Sequence, residues 1–234
     1  MVQELKHSSI ALETKAANQQ HYEVPAQFFK LSLGKHLKYS SAYFDNGAQT
    51  LDQAEEHMLA LTAERAEIRD GMKVMDLGCG WGSFSLWAAA KFHGCTFRSV
   101  SNSHSQREYI ESQATTRGLK NIEVITADIN TFDIDETFDR IVSVEMFEHM
   151  RNYEKLMAKM SSWLKPDGKL FVHIFCHKTT PYYFEVDGED NWMGAYFFTG
   201  GIMPSNHLLL YFQDHMAIEQ HWVVNGTNYQ KTSL

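Results

Sequence analysis

The chain has 234 residues, 44% hydrophobic and 21% charged, which suits one α/β domain with a few added elements and a real core. Its formal charge of −8 gives it nothing to gain from phosphate neutralisation, which argues against non-specific nucleic-acid binding and against docking by charge on an anionic membrane. Cys79, Cys95 and Cys176 form neither an even framework nor a CxxC pair, the polar start has no signal-peptide core, and no run is long enough to span a membrane, so the reading is a cytoplasmic protein of a reducing compartment without integral membrane association.

In chain order, residues 1–20 read as a polar helical lead-in. "PAQFFKLSLG" places Pro25 at a helix start and Gly34 at its end. "KYSSAYF" breaks the helical period. "TLDQAEEHMLALTAERAEI" opens with a capping box, Thr50 and Gln53, and continues as an amphipathic helix. From residue 72 the pattern alternates: strand "MKVMDL", helix "SFSLWAAAKFH", strand "TFRSVS", helix "SQREYIESQATTR", strand "IEVITA", strand "FDRIVSVEM", helix "NYEKLMAKMSSWL" and strand "KLFVHIF". Strands alternating with helices of this length predict βαβ units, hence a doubly wound, mainly parallel sheet with helices on both faces. Residues 177–203 are aromatic and aperiodic. Residues 204–224 read as a helix and a strand, and "VNGT" reads as a candidate type I′ hairpin turn. Three regions follow: 1–70, a helical cap; 71–176, a ligand-binding core; and 177–234, an insertion with the last helix and strand.

The stretch "KVMDLGCGWGSF" carries most of the chemical information. In such a sheet ligands sit beyond the carboxyl ends of the strands, and glycine lets backbone approach them closely. Gly78-x-Gly80-x-Gly82 is GxGxG, not the dinucleotide GxGxxG, and Ser101 and Asn102 stand where a ribose-binding acid would be.

"VMDLGCGWG" resembles the first motif of the S-adenosylmethionine-dependent methyltransferases. "HYEVPAQFF", "YSSAYF", "TLDQAE", "SNSHSQREYI", "FDRIVSVEMFEHM" and "HIFCHK" extend the resemblance, in order, to the cyclopropane-fatty-acid-synthase-like family. "DNWMGAYFFTGGIMPSNHLLLYFQD" is similar to its coclaurine N-methyltransferase-like branch. The resemblance implies a Rossmann-like class I methyltransferase fold and S-adenosyl-L-methionine as cofactor. It assigns Asp76, Gly78 and Gly80 to the turn against the cofactor's methionine and ribose, and Tyr39 and Ser40 to the segment closing over it. Ser101, Asn102 and Gln106 match the ribose and carboxylate stretch, Asp128 and Ile129 the adenine edge, and Val144 the pocket below the sulfonium. Each polar residue of this set also has a plain reading as a helix cap or solvated loop residue.

Methyl transfer needs alignment, desolvation and removal of a proton from the acceptor. Glu145, Glu148 and His149, in "VEMFEHM", are the candidates, and an i, i+4 spacing puts Glu145 and His149 on one face of a helical turn. A simple helix-capping role is the competing reading. Cyclopropane synthases have glycine where this chain has Glu145 and cysteine where it has Ser41, while Glu148, His149 and His173 still match positions of their bicarbonate site. The resemblance therefore implies N-methylation of a small aromatic or alkaloid-like amine; modification of unsaturated acyl chains and cofactor binding without turnover remain open. Trp192, Tyr196, Phe197, Phe198 and Tyr211 are candidate walls of an aromatic acceptor pocket or core residues. In "HIFCHK", strand alternation puts His173 and His177 on one face and Cys176 opposite, which favours one inward histidine and no metal. The resemblance also implies that the family's terminal strand and an N-terminal helical extension are missing here. Unpaired strand edges are then expected, with weak turnover, and a homodimer is left open.

Overall fold

The computed structural model describes residues 1–12, 25–185 and 191–234. Helices α1 (Val2–His7), α2 (Ala26–Ser32) and α3 (Leu51–Arg65) precede β1 (Lys73–Leu77). Then come α4 (Ser83–Lys91), β2 (Thr96–Ser101), α5 (His104–Thr116), β3 (Ile122–Thr126), β4 (Phe138–Val144), α6 (Tyr153–Trp163) and β5 (Leu164–His173). The five strands form one parallel sheet in the order β3-β2-β1-β4-β5. Apolar alternation decides the two faces of β1. Val74 packs with Leu59 and Ala63 of α3 and with Phe84, Trp87 and Ala88 of α4. Met75 and Leu77 pack on the opposite face with Tyr153, Leu156, Met160 and Trp163 of α6, and Leu5 of α1 closes that cluster. Each such large buried side chain contributes about 1.5–3 kcal/mol. The sheet thus forms with helices on both faces, as expected from the alternating pattern.

The helix starts follow side-chain chemistry. Thr50, Ser103 and Asn152 accept from Gln53, Gln106 and Lys155 backbone N–H groups at α3, α5 and α6. The capping box at α3 is displaced by one residue, because the Gln53 side chain accepts from Gln49 N–H instead of returning to Thr50.

Several expectations change. Among the described residues of the lead-in only Val2–His7 are helical; residues 13–24, which hold the rest of it and the start of "HYEVPAQFF", lie outside the described residues. β5 begins at Leu164, so "KPDG" falls within the strand as an irregularity in its pairing with β4. The aperiodic 177–203 region holds a short antiparallel pair, β6 (Tyr182–Tyr183) with β7 (Ile202–Met203), and α7 (Trp192–Tyr196) between them. Residues 204–224 give only a 3₁₀ turn, Leu208–Tyr211, and no strand. That segment is held by side chains instead: Trp222 lies beside Phe171 and under Arg65, and Glu219 accepts from Lys169. "VNGT" is not a hairpin turn, since Gly226 precedes α8 (Thr227–Thr232). Among the described residues no strand pairs with the outer side of β5. No described helix is long and apolar enough to cross a membrane.

Candidate active site

β1 is central, with β2 on one side and β4 on the other, so the order in which successive strands are added reverses between β1 and β4. A crevice opens there at the carboxyl ends. The loop after β1 supplies one wall. Gly78, Gly80 and Gly82 have φ of +83°, +53° and +76°. A Cβ on Gly78 would lie 2.8 Å from Met146, and one on Gly82 would lie 2.6 Å from Ile110. One on Gly80 would meet no protein atom within 4 Å. Two of these glycines are therefore required by the protein's own packing, and Gly80 leaves room for something else. Asp76, buried at the end of β1, accepts from Ser85 Oγ at 2.5 Å, which ties strand to helix. Burial raises its pKa to about 6, against the opposing pull of the Ser85 hydrogen bonds.

Two clefts flank this loop. The first, about 710 Å³ with its open mouth, is lined by Ser101, Asn102, Gln106, Asp128 and Ile129, and by Ala11 and Leu12. The second, about 910 Å³, is lined by Lys38, Tyr39, Ser40, Asp76, Trp81, Val144, Phe175, Phe197, Phe198 and Tyr229. Both are bounded by Gly78, Gly80, Gln106, Glu145 and His149. Among the described residues the first cleft has Asp128 and Glu145 on its wall and no lysine or arginine, which disfavours a pyrophosphate and suits a cation or a neutral donor. Its polar residues are used as follows. Ser103, not Ser101 or Asn102, caps α5, which leaves those two to the cleft wall. Ser101 Oγ donates to Gln106 Oε1 at 2.6 Å and so orients the amide. Among the described residues, the buried Nε2 of Gln106, which borders both clefts, and Ser83 Oγ and Trp81 Nε1 of the second cleft meet no hydrogen-bond partner, although such groups are nearly always paired. Unmet donors beside a bare backbone are what a polar ligand would satisfy.

The loop after β4 supplies the other wall. Glu145 is not in a helical turn. It has φ +49°, and its N–H donates to His173 O at 2.7 Å. The 3₁₀ turn Phe147–His149 follows. The expected i, i+4 geometry is thus absent, yet Glu145 and His149 both reach the junction of the clefts because the left-handed residue turns the chain back. A non-glycine residue held at such a φ is strained by about 1–2 kcal/mol and is characteristic of functional sites. The Glu145 carboxylate is held at both oxygens, from Ser41 N–H at 2.9 Å and Tyr229 OH at 2.9 Å. Burial raises its pKa and Lys38 opposes the rise. The His149 ring lies 5.1 Å from that of Phe198.

Glu148 behaves differently from its neighbours. It is fully buried, lines neither cleft, and accepts from Phe175 N–H at 2.7 Å through Oε1, while Oε2 has no partner among the described residues. Burial first, and then repulsion from Glu145, pushes its pKa well above the usual range. His173 is the one inward histidine of "HIFCHK", and His177 is exposed. Burial lowers the His173 pKa from its ordinary 6.5 to about 3. A depressed histidine stabilises the fold above 6.5, and that contribution is lost as pH falls towards about 3. Relative to the native chain, His173→Asn is therefore expected to lose stability less steeply below pH 6.5, by up to about 1.4 kcal/mol per pH unit in urea titrations.

Of the aromatic candidates, Phe197 and Phe198 line the second cleft, whereas Trp192, Tyr196 and Tyr211 are exposed and do not. Four contributors escape sequence reasoning. Lys38 is buried, with Nζ donating to Ser40 Oγ and Ser41 O. Tyr229 arrives on α8, which is anchored by the buried Asn228 to Phe44 N–H and by Thr232 to Ala42 N–H. The strand-like residue Ala11 reaches the first cleft through two hydrogen bonds with the Asn130 side chain. The buried Glu55 accepts from the N–H groups of Gly34, His36 and Lys38 and so shapes the loop that carries Lys38 and Tyr39. No local pattern marks any of these.

Comparison with known proteins places this geometry. The family model described as mycolic acid cyclopropane synthetase matches residues 11–232. An (S)-coclaurine N-methyltransferase of Thalictrum flavum subsp. glaucum is 45% identical over 98% of this chain and 64% of its own length. The cyclopropane-fatty-acyl-phospholipid synthase of Escherichia coli (strain K12) is 28% identical over 92% of this chain and 54% of its own. A crystal structure of coclaurine N-methyltransferase bound to N-methylheliamine and SAH superposes with a TM-score of 0.94, at 44% identity, over 99% of this chain and 67% of that one. The chain thus spans 64–67% of the length of the two coclaurine N-methyltransferases it matches by sequence and 54% of the Escherichia coli synthase. It belongs to the mycolic acid cyclopropane synthetase family and has the class I methyltransferase fold.

Proposed function

We propose that the chain is the methyl-transferring part of an S-adenosylmethionine-dependent N-methyltransferase acting on a small aromatic amine. The observation that carries this reading is the meeting of the two clefts at Gly78, Gly80, Gln106, Glu145 and His149. One side is a bare loop with unmet donors, and the other is an aromatic pocket with a fixed carboxylate. The N-methyltransferase relatives, and the SAH in the related crystal structure, support it.

In this reading Asp76, Gly78 and Gly80 cradle the methionine and ribose part. Ser101, Asn102 and Gln106 take its polar groups, Asp128 and Ile129 the adenine edge, and Tyr39, Ser40 and Val144 close the site. The sulfonium supplies an electrophilic methyl group. The protein aligns the amine, excludes water and accepts a proton. Glu145 orients the amine nitrogen, His149 takes its proton, and Glu148 positions the turn from below by holding Phe175 N–H. A functional division into cap (1–70), cofactor core (71–176) and acceptor insertion (177–234) follows from these roles. Serine at position 41, where the sequence resemblance implies that lipid-modifying members carry cysteine, and Glu145 in place of glycine favour an amine over an acyl chain.

The test is methyl transfer from labelled S-adenosylmethionine to a panel of secondary amines beside phospholipid vesicles, with thermal stabilisation by S-adenosylhomocysteine measured in parallel. Label on an amine, and stabilisation by S-adenosylhomocysteine but not by a nicotinamide dinucleotide, is expected. Label in lipid, or stabilisation by the dinucleotide alone, would overturn the proposal.

A further inference from the structure

A secondary amine is an ammonium at neutral pH, and an ammonium has no lone pair with which to attack. A lone buried carboxylate would hold it in that unreactive form. The structure contains a second charge beside Glu145 that bears on this. Lys38 is 3% exposed, and its Nζ donates to Ser40 Oγ at 2.5 Å and Ser41 O at 2.7 Å. Ser41 N–H in turn donates to Glu145 Oε1 at 2.9 Å. Ser41 therefore stands between a buried ammonium and the carboxylate, and both Lys38 and Glu145 line the cleft of Tyr39, Phe197 and Phe198.

We propose that Lys38 is a specificity-determining positioning residue: its ammonium, fixed behind Ser41, balances Glu145 so that the acceptor site takes the neutral amine in preference to the ammonium. The inference rests on the amine-methyltransferase reading above and adds which protonation state is bound. The proton leaves to solvent as the amine enters. Glu145, doubly hydrogen-bonded, then acts as an acceptor that orients the remaining N–H, and Lys38 offsets its charge.

The other charged groups facing this pair are consistent with it. Glu55 on α3 holds Lys38 N–H and acts on the lysine from below. His173 on β5, 3.9 Å from Glu145, is kept neutral by burial and by Lys38 and Arg65. Tyr229 on α8 and Tyr39 stay protonated, both pushed upward by burial and by Glu145. Glu148 is pushed upward by burial and by Glu145 and turns away to Phe175 N–H, whereas Glu145 is linked to the lysine through Ser41. Burial lowers the Lys38 pKa to about 8, against Glu145 and Glu55, so its charge is present at neutral pH and fades above that value. Two unit charges several ångströms apart at an effective dielectric near 20 interact by a few kcal/mol, enough for a tenfold or larger preference.

The experiment is calorimetry on the full chain saturated with S-adenosylhomocysteine, at pH 7, in two buffers of different ionisation enthalpy. The probes are tetrahydroisoquinoline and its permanently charged N,N-dimethyl analogue. The native chain is expected to release close to one proton per tetrahydroisoquinoline bound. Lys38→Met and Lys38→Gln are both expected to cut that release by more than half and to bind the charged analogue about tenfold tighter. Glutamine keeps donors for Ser40 and Ser41, so native behaviour in Lys38→Gln with altered behaviour in Lys38→Met would reduce the lysine to a hydrogen-bonding spacer and overturn the proposal. Unchanged proton release in both variants would overturn it too. A measurement without variants stands beside these: affinity of the native chain for the charged analogue should rise as pH passes about 8, and a flat profile contradicts the proposal. Binding of tetrahydroisoquinoline without charge preference sinks this inference alone, whereas failure of every form to bind either amine sinks the amine reading with it.

Discussion

Gly80→Ala is expected to weaken S-adenosylhomocysteine binding by about tenfold to a hundredfold while costing the unliganded fold only about 1–2 kcal/mol. The fold cost is the left-handed φ of +53° alone, because the added methyl group meets no protein atom within 4 Å. The binding cost comes from placing that methyl in the space bounded by both clefts. Gly82→Ala should behave in the opposite way. Its Cβ would sit 2.6 Å from Ile110 Cγ1 at φ +76°, so overpacking adds to backbone strain and the fold should lose about 2–4 kcal/mol. Urea unfolding and calorimetric titration on the two variants separate the effects. Equal binding by Gly80→Ala and the native chain would show that no ligand lies against the loop there.

His149→Ala is expected to lower turnover by about a hundredfold or more while changing S-adenosylhomocysteine affinity less than about threefold. The imidazole stands at the junction of the clefts against Phe198, where it can reach an acceptor nitrogen, and the loop that holds the nucleoside side is untouched by its removal. Single-turnover rates against titrated affinity make the comparison. The companion variant Glu145→Gly should act on binding instead. It removes the carboxylate held by Ser41 and Tyr229, so amine affinity should fall most. It relieves a residue at φ +49° but leaves Ser41 N–H, Tyr229 OH and the buried Lys38 without their carboxylate, so the fold should lose about 1–3 kcal/mol. Unchanged kinetics in both variants would leave the turn with a purely structural role.

The βαβ frame was legible because its signals are local. "MKVMDL", "TFRSVS" and "IEVITA" are apolar runs bounded by loop residues, and of the helices between them α5 opens on the side-chain cap of Ser103, while α4 opens on Gly82. The glycine loop was legible for the same reason. The acid–base turn was only half legible. Glu145 and Glu148 are three residues apart and alike in sequence, and nothing local says that Glu145 turns through φ +49° into the cleft while Glu148 turns inward to Phe175. Lys38 and Tyr229 were invisible because their roles depend on pairings across 104 and 84 residues, Ser41 with Glu145 and Tyr229 with Glu145. The misreading of 204–224 has another cause. Its apolar residues pack individually, Phe212 on Tyr153 and Trp222 by Phe171, and so imitate a periodic element without forming one.

The central claim is that one ligand lies on the glycine loop and a second meets it at Glu145 and His149. A crystal structure with S-adenosylhomocysteine and a secondary amine bound together tests it most directly. The nucleoside is expected beside Asp128 and Ile129, the sulfur at the junction by Gly78 and Gly80, and the amine nitrogen within hydrogen-bond reach of Glu145 or His149, about 2.6–3.2 Å. The amine bound outside the second cleft, or the nucleoside away from the glycine loop, would contradict it.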